Sequence, residues 1–203
     1  MARLNPTQRR LVREIHELLD RFSLNPLKIT QGPERDSWTP RLQLARNQLI
    51  RGQIIMDYTL IDEFLNTRIA HFFFGKSRPF WHLWRTKSFK LFNYHVLEEL
   101  SLLKKLQLVR AISPLPNRIR EDIERLNALR NGIAHAFFPE NLKKSKPAWK
   151  GNGIFTTIGI ERYQQDIRVV VDYFLPGTPH ASATESYYDE PRTSGVASAG
   201  PDR

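Results

Sequence analysis

The feature that most constrains the fold is a long stretch without proline, from about Arg41 to Phe74, in which apolar residues recur at helical spacing. Its apolar face is formed by Ile54, Tyr58, Ile61, Leu65 and Phe72. A period near 3.6 residues is typical of an amphipathic α-helix. Thr39-Pro40 is the expected start of this helix, and the glycine and proline between Gly75 and Pro79 are expected to end it.

Further amphipathic segments predict additional helices on both sides of the long one. They cover residues 6–22, about 89–111, 117 to a stop before Pro139, and about 160–175. Asn5-Pro6 and Asn117 have the side chains expected at the starts of two of them. Four or five such helices with short connections predict an all-α fold, an antiparallel four- to five-helix bundle.

The remaining segments are predicted to lie outside the helices. Residues 24–40 contain three prolines and are expected to form a linker, residues 139–153 form a lysine-rich loop, and residues 154–158 form an extended arm. Beyond Pro176 the composition predicts a disordered tail, 176–203. We therefore expect one helical domain over residues 1–175, with its core in 41–175 and the N-terminal helix added to it.

The basic charge of the chain is concentrated in segments that contain no acid. The formal net charge is +10, and no carboxylate occurs between Glu63 and Glu98 or in residues 141–160. Such segments attract polyanions, of which nucleic acid is the commonest in the cytosol. A lysine-rich surface that serves only solubility is the alternative. The candidate RNA-binding residues are Arg78, Arg85, Lys87, Lys90, Lys143, Lys144 and Lys146.

Composition excludes several classes of protein and site. No apolar run approaches the roughly 18 to 20 residues that a membrane span requires, and nothing near the N-terminus is typical of a secretion signal. We therefore expect a soluble, cytoplasmic protein. The chain has no cysteine, so disulfides, thiolate nucleophiles and cysteine-based metal sites are excluded. His71, His82 and His95 lack the spacing of a metal site, and no cofactor is expected.

The stretch whose residue types are most suited to catalysis is Arg130-Asn131-Gly132-Ile133-Ala134-His135, in the helix that begins near Asn117. On a helical projection Arg130 falls at the centre of the apolar stripe, where a guanidinium loses water and needs a partner. His135 lies about 140° from Arg130, so one straight helix cannot aim both side chains at the same atom. Asn131 and His135, four residues apart, share a face.

Two explanations fit this geometry. Arg130 forms a structural ion pair with an acid of the long helix, such as Asp57, Asp62 or Glu63, or two copies of the helix meet about a two-fold axis and pool their groups. Gly132 is destabilising in a helix interior and therefore suggests close backbone approach or a local distortion.

Arg130-Asn131 followed by His135, near the end of a helix in a small basic helical protein, resembles the signature of the HEPN superfamily. The resemblance covers about residues 41–175. It implies a homodimeric four-helix bundle with additions that cleaves RNA without a metal, at a composite site on the dimer interface. Many members are toxins or immunity effectors, so an antitoxin or other regulatory protein is among the implied partners. Phe137 stands where some HEPN toxins carry a tyrosine that a partner modifies, which excludes that form of control at this position.

These residue types suit RNA cleavage by the 2′-hydroxyl, which needs a base, an acid and stabilisation of a phosphorane. We assign His135 to proton transfer, Arg130 to the phosphorane and Asn131 to orienting the phosphate or the imidazole. The rival hypothesis is a catalytically silent helical module that binds nucleic acid or a protein partner, with Arg130 in a structural ion pair.

An aromatic segment among the cations has two interpretations. Phe80, Trp81, Trp84 and Phe89 alternate with basic residues and could stack the bases of single-stranded RNA. Alternatively, the rings attach a loop to the helical core, since large aromatic side chains are more often buried than exposed.

Overall fold

A computed structural model of the chain describes residues 6–21, 38–75, 80–134 and 146–175. Its helices are α1 (Pro6–Arg21), α2 (Trp38–Phe74), α3 (Phe80–Leu83), α4 (Lys87–Phe92), α5 (Leu102–Ile112), α6 (Asn117–Ala134) and α7 (Thr157–Phe174). A π-helix, Asn93–Leu97, continues α4, and β1 (Ala148–Trp149) pairs antiparallel with β2 (Asn152–Gly153). The all-α fold class is confirmed, and the antiparallel order of the helices stays a prediction.

The long helix α2 is the element around which the core is built. It has 37 residues, which corresponds to a length of about 55 Å. It contacts α5, α6 and α7, and α6 also contacts both α5 and α7. Ile54, Ile61 and Leu65 of the predicted apolar face are fully buried. Phe72, in the last turn of α2, was expected on the same face but is 59% exposed.

The single helix predicted over residues 89–111 is wrong, because the chain turns between Leu97 and Leu102. The buried side chain of Asn93 donates a hydrogen bond to the Glu98 carboxylate (2.7 Å), and the Glu98 amide donates to the Asn93 carbonyl (2.9 Å). Ser101 is extended, with φ −64° and ψ 154°, and α5 starts after it. Leu97 and Leu102 are both buried but five residues apart, whereas residues on one helix face are three or four apart. This spacing could have indicated the break in the sequence.

The extended arm predicted at residues 154–158 is also wrong, because α7 already begins at Thr157. The Thr156 side chain accepts a hydrogen bond from the Gly159 amide (3.1 Å) and caps the helix, so a residue typical of strands starts a helix here. The strands lie earlier, on either side of a two-residue turn in which Lys150 and Gly151 have positive φ (45° and 84°). That pair of angles is typical of a tight hairpin turn.

Several predicted segments lie outside the described residues. They are residues 24–37 of the linker predicted at 24–40, whose last three residues are helical, residues 139–145 of the lysine-rich loop, and the tail at 176–203. Helix α2 begins at Trp38, one residue before the predicted start at Thr39-Pro40, with Pro40 in the first turn, where its missing amide hydrogen is not needed. None of the described helices is both long and apolar enough to cross a membrane.

Candidate functional site

Helix α6 carries the stretch that begins at Arg130, and its apolar side fixes how that stretch is presented. Ile123, Leu126 and Ile133 are fully buried in the core shared with α2. The helix is described up to Ala134, and His135, the next residue, lies outside the described residues. The last turn of α6 places Arg130 against Tyr58 of α2.

Arg130 lies on an aromatic ring. Its guanidinium carbon is 5.1 Å from the centre of the Tyr58 ring, and its Nη1 donates a hydrogen bond to Oδ1 of Asn131 (3.2 Å). Arg130 and Tyr58 are both half-buried, while Asn131 is exposed. The face of a tyrosine ring carries partial negative charge and attracts a cation. The ring therefore supplies the partner that a partly desolvated guanidinium requires.

The acids expected to pair with Arg130 have other partners. Asp57 accepts hydrogen bonds from the Tyr163 hydroxyl and the Gln53 amide, both at 2.8 Å. Asp62 pairs with Lys105 at 2.7 Å. Glu63 accepts from the Asn66 side chain at 3.2 Å. In residues 38–75, 80–134 and 146–175 no ion pair joins Arg130 to a carboxylate. The predicted ion pair between Arg130 and one of these three acids is therefore wrong.

The contact between Asp57 and Tyr163 links α2 to α7. Burial raises the pKa of Asp57, and the hydrogen bonds from Tyr163 and Gln53 oppose that rise. Burial and the charge of Asp57 raise the pKa of Tyr163, so its hydroxyl stays protonated and donates. This acid therefore helps to hold the helices together and is not directed at Arg130.

A second arginine, Arg51 of α2, contacts the end of α6, and the sequence did not predict this contact. Its Nη2 donates a hydrogen bond to the carbonyl oxygen of Ile133 (3.1 Å), one of the last carbonyls of the helix. A cation is favourable there because the C-terminal end of a helix carries partial negative charge. Arg51 precedes Tyr58 by two helical turns on α2, so the two residues share a helix face. This spacing could have indicated that Arg51 also faces α6.

The candidate RNA-binding cations are distributed over two regions of the molecule. Arg85, Lys87 and Lys90 are exposed around α3 and α4, and Lys146 is exposed just before β1. Arg78, Lys143 and Lys144 lie outside the described residues.

The α4 region lies far from Arg130 along α2. The ring of Phe74 contacts Phe89 of α4 at 5.6 Å between ring centres. Phe74 is sixteen residues beyond Tyr58, which is about 24 Å along the helix axis. The structure therefore separates the cations of α4 from the contact between Arg130 and Tyr58.

The aromatic segment is at least partly structural. Phe89 is fully buried, and the half-buried Trp84 packs edge-on against it at 5.2 Å between ring centres. Phe89 cannot stack a base, which corrects that part of the hypothesis. The side chains of Phe80 and Trp81 lie outside what the structure describes.

A buried acidic pair beside α6 was not anticipated. Asp122 of α6 and Asp166 of α7 have side chains that are 1% and 2% exposed, and the amine of Lys150 lies 2.8 Å from a carboxylate oxygen of each. The indole of Trp149 also donates to Asp166, at 2.9 Å. Three arginines complete the cluster: Arg118, Arg125 and Arg162. The sequence did contain an indication of this cluster. Asp166 is three residues after Tyr163 and four before Val170, so it shares a helix face with two buried residues.

The cations around Asp166 determine its protonation. Burial alone would raise the pKa of this carboxyl. Hydrogen bonds from Lys150, Trp149 and Arg118, together with the charge of Lys150, outweigh burial and lower the pKa below its ordinary value. Asp166 is therefore ionised at neutral pH and joins α7 to the hairpin and to α6.

Within the described residues, no group of three or more histidine, aspartate or glutamate side chains is arranged to hold a metal ion. His82 and His95 are exposed. Comparison with known proteins adds no relative: no protein-family model, curated protein or solved structure matches this chain.

Proposed function

We propose that this chain is a metal-independent endoribonuclease of HEPN type, in which Arg130 and His135 of two identical subunits form one site. The observation that carries the proposal is the position of Arg130, half-exposed on the ring of Tyr58 and without a carboxylate partner among the described residues. A guanidinium whose charge is not neutralised by an acid can bind phosphate oxygens through several N–H groups at once. This arrangement favours a role for Arg130 in binding an anion over a role in an internal ion pair.

The proposed reaction breaks one phosphodiester bond by an attack from within the RNA. The 2′-oxygen forms a bond to phosphorus, its proton passes to a base, and the bond to the 5′-oxygen breaks as that oxygen receives a proton. His135 carries out proton transfer, because imidazole titrates near neutral pH. Arg130 stabilises the charge on the phosphorane, and Asn131, which already accepts a hydrogen bond from Arg130, orients the phosphate or the imidazole. The products are a 2′,3′-cyclic phosphate and a 5′-hydroxyl.

The proposal includes a homodimer because one subunit cannot supply both groups to the same phosphate from a straight helix. Arg130 and His135 are separated by about 140° around the predicted helix axis. A two-fold axis near the ends of two α6 helices would bring Arg130 of one subunit to His135 of the other. The RNA substrate would be met in the cytoplasm.

A toxin or defence role is part of the same proposal. An enzyme that cuts RNA inside its own cell needs restraint, so an antitoxin or other regulatory protein is an expected partner. Induced expression of the parent chain should arrest growth, whereas expression of the His135→Ala variant should not.

The experiment that tests the activity is cleavage of end-labelled single-stranded RNA by the purified protein in EDTA. The parent is compared with the His135→Ala and Arg130→Ala variants, each checked for folding by circular dichroism and for mass by light scattering. Arg110→Ala removes an exposed arginine from α5 and serves as the matched control. We expect at least a 100-fold loss of rate in the first two variants, since each removes a group that acts in the transition state. The control should stay within twofold of the parent.

Other results would favour the rival hypothesis. A parent protein that binds RNA without cutting it would be a catalytically silent nucleic-acid-binding module. Cleavage that survives both substitutions would remove Arg130 and His135 from the mechanism. Mixing the two inactive variants gives a further test of the composite site, because heterodimers should regain part of the activity if each subunit supplies one group.

A further inference from the structure

A pocket of about 380 Å³ lies between α6 and the hairpin formed by β1 and β2. We call it the hairpin pocket, and define it by Arg125, Ala128 and Gly132 of α6 with Lys146, Pro147 and Lys150 of the segment around the hairpin. Its volume is within the range of about 300 to 1,000 Å³ that is usual for small-ligand sites. It is therefore large enough to admit part of a ligand.

The charge of the hairpin pocket is positive. Three of its residues, Arg125, Lys146 and Lys150, are cations, and none of the described residues that line it is acidic. The carboxylates paired with these cations are Asp122 and Asp166, which are 1% and 2% exposed, and Glu121, which is 43% exposed and, of these three cations, pairs with Arg125 alone. Within the described residues neither Lys146 nor Lys150 pairs with an exposed carboxylate, so an anion beside these two lysines would meet amine groups first.

Two of the three cations of the hairpin pocket, Arg125 and Lys150, are held in place before any ligand arrives. Arg125 donates to Asp122 at 2.9 Å and to Glu121 at 3.0 Å. Lys150 lies 2.8 Å from both buried carboxylates. The cluster contains four cations, Arg118, Arg125, Lys150 and Arg162, and three carboxylates, Asp122, Asp166 and Glu121, so its net charge is positive. Fixed groups with excess positive charge bind an anion with little reorganisation.

Gly132 contributes to the open wall of the hairpin pocket. Glycine is unfavourable in a helix interior, and the sequence suggested that it allows close packing or a distortion. Among the described residues of one chain no close approach is seen: outside the backbone of its own helix, no described atom lies within 4 Å of a Cβ built on Gly132, and α6 continues through this position. The missing side chain instead leaves the wall of the hairpin pocket open.

The pocket also lies on the side of α6 that the sequence assigns to His135. If the helix continues as its periodicity predicts, position 135 falls about 20° from Ala128 and about 60° from Gly132 around the axis. Arg130 lies on the opposite side, against Tyr58 of α2. On that expectation the hairpin pocket and the residue proposed for proton transfer share one side of α6.

We propose that the hairpin pocket binds one backbone phosphate of the RNA, adjacent to the phosphate that is cleaved. This inference rests on the proposed function and deepens it by assigning a substrate subsite to Arg125, Lys146 and Lys150. Phosphate is the group in RNA that a site with three cations and no acid recognises, since its charge is present at every nucleotide. In this role the subsite would hold the strand in register with the phosphate that is cleaved.

Binding of a fluorescein-labelled 2′-O-methyl oligoribonucleotide, measured by fluorescence anisotropy, tests the subsite. This probe lacks the attacking 2′-hydroxyl and cannot be cut by the proposed reaction. Ala128→Glu places a carboxylate in the hairpin pocket, and Gln107→Glu makes the same charge change at an exposed position of α5. We expect Ala128→Glu to weaken binding at least tenfold and Gln107→Glu to weaken it by less than twofold. Ala128→Glu should also reduce the dependence of log Kd on log salt by about 0.7, the value for one phosphate contact on a single strand.

A second variant keeps the test valid if Ala128→Glu fails to fold. Lys146 is exposed and has no described partner, so Lys146→Ala should leave the melting temperature unchanged while weakening probe binding about threefold or more. Equal effects of Ala128→Glu and Gln107→Glu, or a parent that does not bind the probe, would overturn the subsite. If the parent binds the probe through the pocket but cuts no RNA, the proposed endoribonuclease fails while the phosphate subsite stands.

Discussion

At the scale of single residues, Arg130 contacts an aromatic ring and not a carboxylate of the described residues. The ring of Tyr58 lies under the guanidinium, and the pKa of the Tyr58 hydroxyl is raised by burial and by the charge of Asp62, against the opposing charge of Arg130. The tyrosine thus stays neutral over the whole range of ordinary pH and presents its ring face to Arg130. A neutral partner holds the guanidinium without cancelling its charge, which is what binding a phosphate requires.

Tyr58→Leu should remove this contact while keeping an apolar side chain. We expect the variant to lose about 0.5 to 1 kcal/mol of unfolding free energy through the missing cation–π contact, the range for partly exposed pairs. Tyr58→Phe retains the ring and is the matched control. Urea denaturation of each variant, with Arg130 present and in the Arg130→Ala background, gives the coupling energy directly. A coupling energy of zero for Tyr58→Leu would mean that the ring does not hold Arg130.

At the scale of elements, the junction of the hairpin and α7 is set by one glycine. A Cβ built on Gly159, in the first turn of α7, would overlap the carbonyl oxygen of Gly153 in β2. The side chain of Thr156 caps the same turn through the Gly159 amide. The start of α7 and the second strand can approach this closely only because position 159 has no side chain.

Gly159→Ala should therefore destabilise the protein, although alanine is the better helix former. We expect a loss of about 1 to 3 kcal/mol, as for overpacking in a tight contact. Gly52→Ala is the control: Gly52 is in α2, and no described atom lies within 4 Å of a Cβ built there. That substitution should instead raise the unfolding free energy by up to about 1 kcal/mol. Chemical denaturation of both variants checks the opposite signs, and equal signs would contradict the close approach.

At the scale of the whole molecule, the buried pair of acids links three parts of the chain. Asp122 lies on α6, Asp166 lies on α7, and Lys150 from the hairpin turn bridges them. The pKa of Asp166 is lowered in the folded protein, so the unfolded chain binds its proton more readily. The stability that Asp166 contributes is thus present above its unfolded pKa of about 3.9 and is lost as the pH falls through the lower, folded pKa.

Asp166→Asn should lower the unfolding free energy by about 1.5 to 3 kcal/mol at pH 7, the usual range for hydrogen bonds to a charged group. The difference from the parent should persist at pH 5 and shrink below about pH 4, where the parent carboxyl in the unfolded chain becomes protonated. Urea denaturation at pH 7, 5 and 3 measures it. Glu161→Gln removes an exposed carboxylate of α7 and serves as the control. A loss independent of pH would show that packing, and not ionisation, accounts for the role of Asp166.

The sequence by itself determined the helical class, the positions of α2 and α6, and the stretch that begins at Arg130. These features depend on local spacing, because apolar residues three or four apart share a helix face whatever surrounds them. Local spacing also set the limits of what could be predicted. The turn after Leu97 and the capped start of α7 interrupt or override patterns that look continuous in the sequence.

Only the tertiary structure decided which groups meet. Arg51 contacts Ile133 across 82 positions of sequence, and Arg118 reaches Asp166 across 48. Asp57, Asp62 and Glu63 were equally plausible partners for Arg130, but each contacts another side chain. The guanidinium of Arg130 packs on the ring of Tyr58 instead. The hairpin pocket likewise exists only where α6 meets the hairpin. Contacts of this kind depend on the way helices dock, and docking is fixed by side-chain packing over the whole core, which no short pattern in the sequence records.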